Sequence, residues 1–343
     1  MNRFVTATSI VLTLAVTAGC RSEDGATDDH LASLIRQLGD ANPTNRALAA
    51  SALNNFGSRA EKAVPALARL LTDPDPNVRQ AAATTLGCIG SAATSAKPQL
   101  VGALADKDPS VRAMAAMALS KIGDLSVGEV DALGEMLADS HREVRIQAVE
   151  AIARAGAAAK AALPRLETAL ADRDMAVRVV AAEAIGGIGS DAASSVGKLS
   201  SLLADGEAFP RAAAAKSLGR IGPPARDAAP ALMLSLKDEK AKVRVAAAES
   251  LWRVVGNTRE TLPILIDCLG SVERRTVPGE ARFDLVPDTP VRYAAAQALG
   301  EMGAAAAPAV DALKKARPEG DSAVMEAIDV ALKRITAART TRP

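Results

Sequence analysis

The sequence predicts an all-α fold, an α-solenoid of about nine stacked helix pairs. Three observations carry this. Arginine recurs at 46, 79, 112, 145, 178, 211 and 244, an unbroken step of 33 residues, and a fixed period of this size marks a repeat array. Hydrophobic residues make up 49% of the chain but aromatics only 2%, which suits closely packed helices better than a large β core or an aromatic-lined cavity. Around each arginine, apolar residues fall at helical spacing.

With the arginine as position zero, position +7 is Leu53, Leu86, Leu119, Ile152, Ile185, Leu218, Leu251, Leu299 and Leu332. The eighth copy starts from Arg292, 48 residues after Arg244, and the ninth has Met325 in the arginine's place. Position +10 is Phe56, Ile89, Ile122, Ala155, Ile188, Ile221, Val254, Met302 and Ile335, and position +3 is alanine in every copy except the last, where it is Ile328. Such a stripe makes an amphipathic helix with one buried face. Pro76 and Pro109 suit a first helical turn, and glycine at +11, as in Gly90 and Gly123, suits a helix stop. A second apolar segment carries leucine at 67, 100, 133, 166, 199, 232, 265 and 313. Each repeat is therefore helix, turn, helix. Leu31 to Leu38 supplies the first helix of the first copy, so nine pairs run from about residue 30 to 336, followed by a polar tail at 337–343.

The turn between the two helices holds an aspartate six residues before its arginine. There a carboxylate can cap the following helix or pair with the guanidinium fork of its own or the adjacent repeat. Stacking would turn Asp73, Arg79, Asp106, Arg112, Asp139, Arg145, Asp172, Arg178, Asp205, Arg211, Asp238 and Arg244 into a ladder of alternating charge. Its role is structural, since a group repeated this often is not a catalytic one.

The recurring Asp-x-x-x-x-Val-Arg-x-x-Ala-Ala-x-x-Leu-Gly-x-Ile-Gly, as in Asp73 to Gly90, resembles the HEAT repeat in its short, phycobilisome-lyase form. The resemblance covers residues 30–336. Ankyrin repeats share the period, but no copy contains Thr-Pro-Leu-His. The resemblance implies second helices lining a concave face that binds another macromolecule. Some relatives are enzymes, including bilin lyases and a DNA glycosylase class, so the fold alone does not choose the function.

Residues 1–19 read as a signal peptide: Arg3, an apolar run from Phe4 to Val16, then Thr17-Ala18-Gly19 before Cys20. The run is short for a membrane span. Small residues before a cysteine resemble the bacterial lipobox, which implies lipidation of Cys20 and a protein held by lipid in the cell envelope, on the periplasmic side of either membrane or at the cell surface. Plain cleavage with secretion, or an uncleaved anchor, are the alternatives. Residues 20–29 are polar and read as a flexible tether. Cys88 and Cys268 stand 180 residues apart, too many repeats for one bridge, and read as free thiols.

Chemistry is sparse. Omitting the signal, whose only charge is Arg3, leaves 40 basic against 40 acidic residues, so no global field favours nucleic acid. His30 and His141 read as solvated residues, and no zinc spacing, phosphate loop or other cofactor or metal motif stands apart from the repeats. A monomer is expected.

Candidate binding residues are departures from the repeat. Positions +1, +5 and +8 point away from the core. At +8 the seventh copy has Trp252, the only tryptophan, and at +1 the eighth has Tyr293, the only tyrosine. Near them lie Glu249 and Gln297 at +5 and Arg220, Arg253 and Glu301 at +9. Exposed aromatics flanked by arginine are typical of interaction hot spots; alternatively the two rings fold over a neighbouring helix and fill a packing gap. An insertion at about 272–287 carries Arg274, Arg275, Arg282 and Phe283. Pro278-Gly279 separates two short runs that can pair as a hairpin, either a recognition loop or a tolerated one. The leading reading is a non-enzymatic, lipid-anchored scaffold binding a protein partner; the alternatives are lyase-like or other chemistry on the concave face, or a passive spacer.

Overall fold

The computed structural model describes residues 28–276, 283–317 and 321–340. The chain divides after Ala184 into two compact units. The first contains α1 (Asp28–Gln37), α2 (Pro43–Ala52), α3 (Val64–Leu70), α4 (Pro76–Ile89), α5 (Lys97–Ala103), α6 (Pro109–Ile122), α7 (Val127–Glu135), α8 (Arg142–Ala153), α9 (Leu163–Ala169) and most of α10 (Met175–Ile188). The second contains α11 (Val196–Leu202), α12 (Ala208–Ile221), α13 (Ala229–Ser235), α14 (Ala241–Val255), α15 (Thr258–Cys268), a two-stranded hairpin of β1 (Val272–Thr276) and β2 (Phe283–Pro287), α16 (Thr289–Met302), α17 (Val310–Ala316) and α18 (Ser322–Thr340). Among the described residues these make the nine helix pairs predicted from the period. The first helix begins at Asp28, inside the expected tether, and α18 runs four residues into the expected tail. Residues 1–27, and with them Cys20 and the signal, lie outside the described residues.

The helical stripe packs as expected. Position +7 is fully buried from Leu53 to Leu299, and so is each leucine of the first helices from Leu67 to Leu313. Burying such a side chain stabilises by roughly 1.5–3 kcal/mol, which is what holds one pair on the next in a solenoid. The glycines at +11 end the second helices in a left-handed conformation, with φ from 51° to 82° at residues 57, 90, 123, 156, 189, 222 and 303, a region costly for a residue with a Cβ.

The ladder forms between repeats. Within the two units, the guanidinium groups of Arg46, Arg79, Arg112, Arg145 and Arg211 each reach the aspartate of the following copy with two parallel bonds. Arg79 Nε and Nη2 donate to Asp106 at 2.7 and 2.8 Å, Arg145 to Asp172 at 2.7 and 2.9 Å, and Arg211 to Asp238 at 2.7 and 3.0 Å. Arg46–Asp73 and Arg112–Asp139 repeat the pattern. The third nitrogen donates to its own turn, Arg79 Nη1 to Asp73 O at 2.9 Å and Arg178 Nη1 to Asp172 O at 2.8 Å. The aspartate does not cap the next helix. Its Oδ1 accepts from the amide two residues on, as Asp106 does from Asp108 and Asp205 from Glu207. The cap is the residue four before the arginine: Asp75 accepts from Asn77 N and Asp108 from Ser110 N, both at 2.8 Å. The start of the helix sets the cap, not the arginine: Asp40, in the first copy with no arginine copy before it, accepts from Asn42 N in the same way, and Asn42 caps α2.

The ladder stops at the seventh copy, where Ser271 stands in register for the next aspartate. Arg244 Nη2 makes only a 3.5 Å contact with the exposed Asp267. Arg292, after the insertion, is buried and donates to carbonyls at two helix C-termini, Leu269 O at 2.8 Å and Ala316 O at 3.0 Å, where the helix dipole favours a cation. The insertion is the expected hairpin: β1 and β2 pair antiparallel, Arg274 opposite Leu285, Arg275 opposite Asp284 and Thr276 opposite Phe283. Its base closes where Asp288 N donates to Ser271 O at 2.9 Å. Cys268 is the buried free thiol expected, its pKa pushed up to about 11, chiefly by burial. Cys88 stands at +9 on α4, and among the described residues the free-thiol expectation is met by Cys268.

Candidate protein-binding face

Each second helix has neighbours on three sides, and this decides which residues remain free. One side packs on the first helices. Position +8 of one copy meets position +6 of the next: a Cβ added at Gly87 would lie 3.0 Å from Ala118 Cα, at Gly219 3.0 Å from Ser250 Cα, and at Gly300 3.0 Å from Ala331 Cα. Counting about 100° per residue, +6 and +8 point to opposite flanks, and −2, +2, +5 and +9 lie between them, away from the core. The expectation that +1, +5 and +8 form the free face is therefore corrected. Position +8 is an inter-repeat contact, and Ala113, Ile146, Val179, Ala212 and Val245 at +1 are buried. A helix read alone shows only the direction opposite its core; stacking rotates the free stripe toward +5 and +9.

Trp252 stands where four of the other copies in its register, at Gly87, Gly186, Gly219 and Gly300, use glycine for close approach. The contact between second helices is sparser between α14 and α16, across Trp252, than across Gly87, Ser120, Gly219 or Gly300. Trp252 is half-buried at this stacking position, which favours the gap-filling account of this ring. Tyr293 is also half-buried, its hydroxyl accepting from Gln297 Nε2 at 3.0 Å.

The remaining candidates meet on the free stripe. Arg253 Nη1 bonds Glu249 Oε1 at 2.7 Å, and its Nη2 bonds Glu301 Oε2 on α16, so one guanidinium bridges two copies. Burial pushes the Glu249 carboxyl up; Arg253 works against that and Glu301 adds to it. Arg220 is exposed one repeat earlier. Arg274, Arg275 and Phe283 are in the hairpin strands, and Arg282 lies outside the described residues.

Two features escaped the sequence reading. Lys242 Nζ sits 3.6 Å above the ring centroid of Phe209, a cation–π pair at position −2 of successive copies. Siblings at that position include Asn77, Ser110 and Glu143, and the comparison that singled out Trp252 would have found Phe209 had −2 been counted as free. On the opposite side of the second unit, Met233 and Leu234 are 41% and 74% exposed. His141 is exposed beside Asp139, and among the described residues no cluster of potential metal ligands occurs. No described helix is long and apolar enough to cross a membrane.

Stacked helix pairs clasped by an Arg–Asp ladder define a helical repeat protein of the solenoid class. HEAT-repeat models match residues 31–97, 91–139, 130–209 and 197–285, and the PBS lyase HEAT-like repeat matches residues 291–316. The chain belongs to the HEAT-repeat family, whose arrays are scaffolds for protein interaction and generally non-catalytic. No curated protein matches it. Among solved structures it is similar to an engineered protein at 24% identity, covering 97% of this chain and 92% of that one with a TM-score of 0.54. It is also similar to the complex of CpcE and CpcF of phycocyanin lyase from Nostoc sp. PCC7120, at 23% identity over 70% of this chain and 94% of that one, with a TM-score of 0.47.

Proposed function

We propose that this protein is a non-enzymatic scaffold, lipid-anchored through Cys20 in the bacterial envelope, which binds a partner protein on the free stripe of its second helices in the second unit. The observation that carries the binding reading is the Glu249–Arg253–Glu301 bridge on the stripe that also holds Gln297: polar groups held in fixed positions, with Gln297 and Glu301 exposed among the described residues. A photo-crosslinking residue in place of Gln297 is expected to capture an envelope protein, while the same residue in place of Lys198, on the first-helix side, is not. Equal capture from both positions, or none from Gln297, would sink this site.

The anchor rests on the sequence alone, on Arg3, the apolar run and Ala18-Gly19-Cys20. Cys20→Ser is expected to move the protein from the membrane fraction to the soluble one; a variant that stays with the membrane rules out the lipid. An enzymatic reading has one observation in its favour, the raised Glu249 carboxyl near Glu301, since an acid–base pair needs carboxylates of different pKa. Both are clasped by the same guanidinium, which suits a structural bridge better than proton transfer. A passive spacer leaves the exposed Phe209–Lys242 pair without a role.

A further inference from the structure

We propose that the free stripe of the sixth and seventh copies recognises an acidic segment of the partner, a stretch of chain rich in Asp and Glu; this rests on the protein-binding reading above. The evidence is an unbalanced local charge. Lys216 and Arg220 stand one turn apart on α12, both exposed, and like charges at this spacing repel. Among the described residues neither has a carboxylate within ion-pair distance. The carboxylate whose field they share, Glu249, is committed to Arg253 at 2.7 Å. On the same stripe Lys242 Nζ lies over the Phe209 ring, which is itself 45% exposed. The stripe thus offers an exposed cationic pair on α12 and an exposed aromatic face at the start of the same helix.

This charge is local. The whole chain has a formal net charge of +1, and the matching +5 and +9 positions of the second and fourth copies are Thr84 with Cys88 and Glu150 with Arg154. An exposed cationic pair one turn apart, with an exposed ring on the same helix, fits carboxylates spaced along a peptide. It fits a nucleic acid poorly, because a phosphate backbone needs many contacts and would run into Glu249 and Glu301 at the next copies. The Phe209 face adds room for one apolar side chain of the segment.

The test uses the full chain and a fluorescent peptide of alternating Glu and Leu, with its Gln-for-Glu analogue, a single-stranded oligonucleotide and phosphatidylglycerol vesicles as comparators. The acidic peptide is expected to bind, to weaken with added salt, and to lose about tenfold or more in affinity in Lys216→Glu/Arg220→Glu, as electrostatic complementarity requires. Lys242→Ala, which leaves the helix and the cationic pair intact, is expected to weaken it several-fold. Equal binding of the Gln analogue, unchanged affinity in both variants, or binding of the oligonucleotide or vesicles but not the peptide would overturn the proposal. Continued envelope capture from position 297 alongside a failed peptide would refute the acidic segment while leaving the scaffold reading intact.

Discussion

Asp106→Ala is expected to destabilise the first unit by about 3 kcal/mol, the lower end for removing one partner of a buried ion pair. Arg79 is only 5% exposed, and the substitution removes two charge-assisted bonds at 2.7 and 2.8 Å together with the turn bond from Asp108 N. The guanidinium keeps its carbonyl partners at Asp73 and Pro74, which bounds the loss. Burial works to raise the Asp106 pKa, but the Arg79 and Asp108 hydrogen bonds and nearby positive charge outweigh it and hold the carboxyl below its usual range. A depressed folded pKa gives stability that is complete above the ordinary aspartate value of about 3.9 and lost as pH falls through the lower, folded value. The difference between wild type and variant, measured by urea unfolding followed by helical circular dichroism, should be full at neutral pH and shrink in acid. A neutral-pH difference below about 1 kcal/mol would place the pair with exposed, weak ones.

How much of this was legible in the sequence follows from what a period can encode. The 33-residue step located the helix pairs, the fully buried leucines, the stopping glycines and the members of the ladder, because each depends on residues repeated in register; which repeat's aspartate each arginine takes was left open. The hairpin was legible for another reason, Pro278-Gly279 between two β-prone runs. The direction of the free face was not legible. One helix reveals where its core lies, but its flanks are set by the copies before and after it, and only the contacts of Gly87, Gly219 and Gly300 exposed that. Trp252, unique in the chain, stands out in the sequence with two accounts open, and its +8 stacking position favours the packing one. The N-caps fall two residues after the recurring aspartate, at Asn42, Asp75 and Asp108, because the helix begins there and the aspartate closes the turn onto their amides. Phe209 and Lys242 were passed over because they stand at a position then counted as background.

The glycines at +8 make the stacking argument testable at two adjacent residues. Gly186 and Gly187 are both in α10. A Cβ at Gly186 would meet Ser217 Oγ at 2.6 Å, its Cβ at 2.7 Å and its Cα at 2.8 Å, whereas one at Gly187 would meet nothing within 4 Å. The Ser217 hydroxyl can rotate away, but its Cα belongs to α12 and moves only with that helix. Gly186→Ala is therefore expected to destabilise by about 1–3 kcal/mol, the usual cost of overpacking a filled interface. Gly187→Ala should stabilise by up to about 1 kcal/mol, the gain in helix propensity at an exposed helical position. Both variants add the same methyl group to neighbouring positions of one helix, so composition and unfolded-state effects nearly cancel, and the opposite signs report stacking alone. Urea midpoints that move in the same direction would show that +8 is not the contact between copies. The free stripe would then return to +1, +5 and +8, and Trp252 to the exposed face.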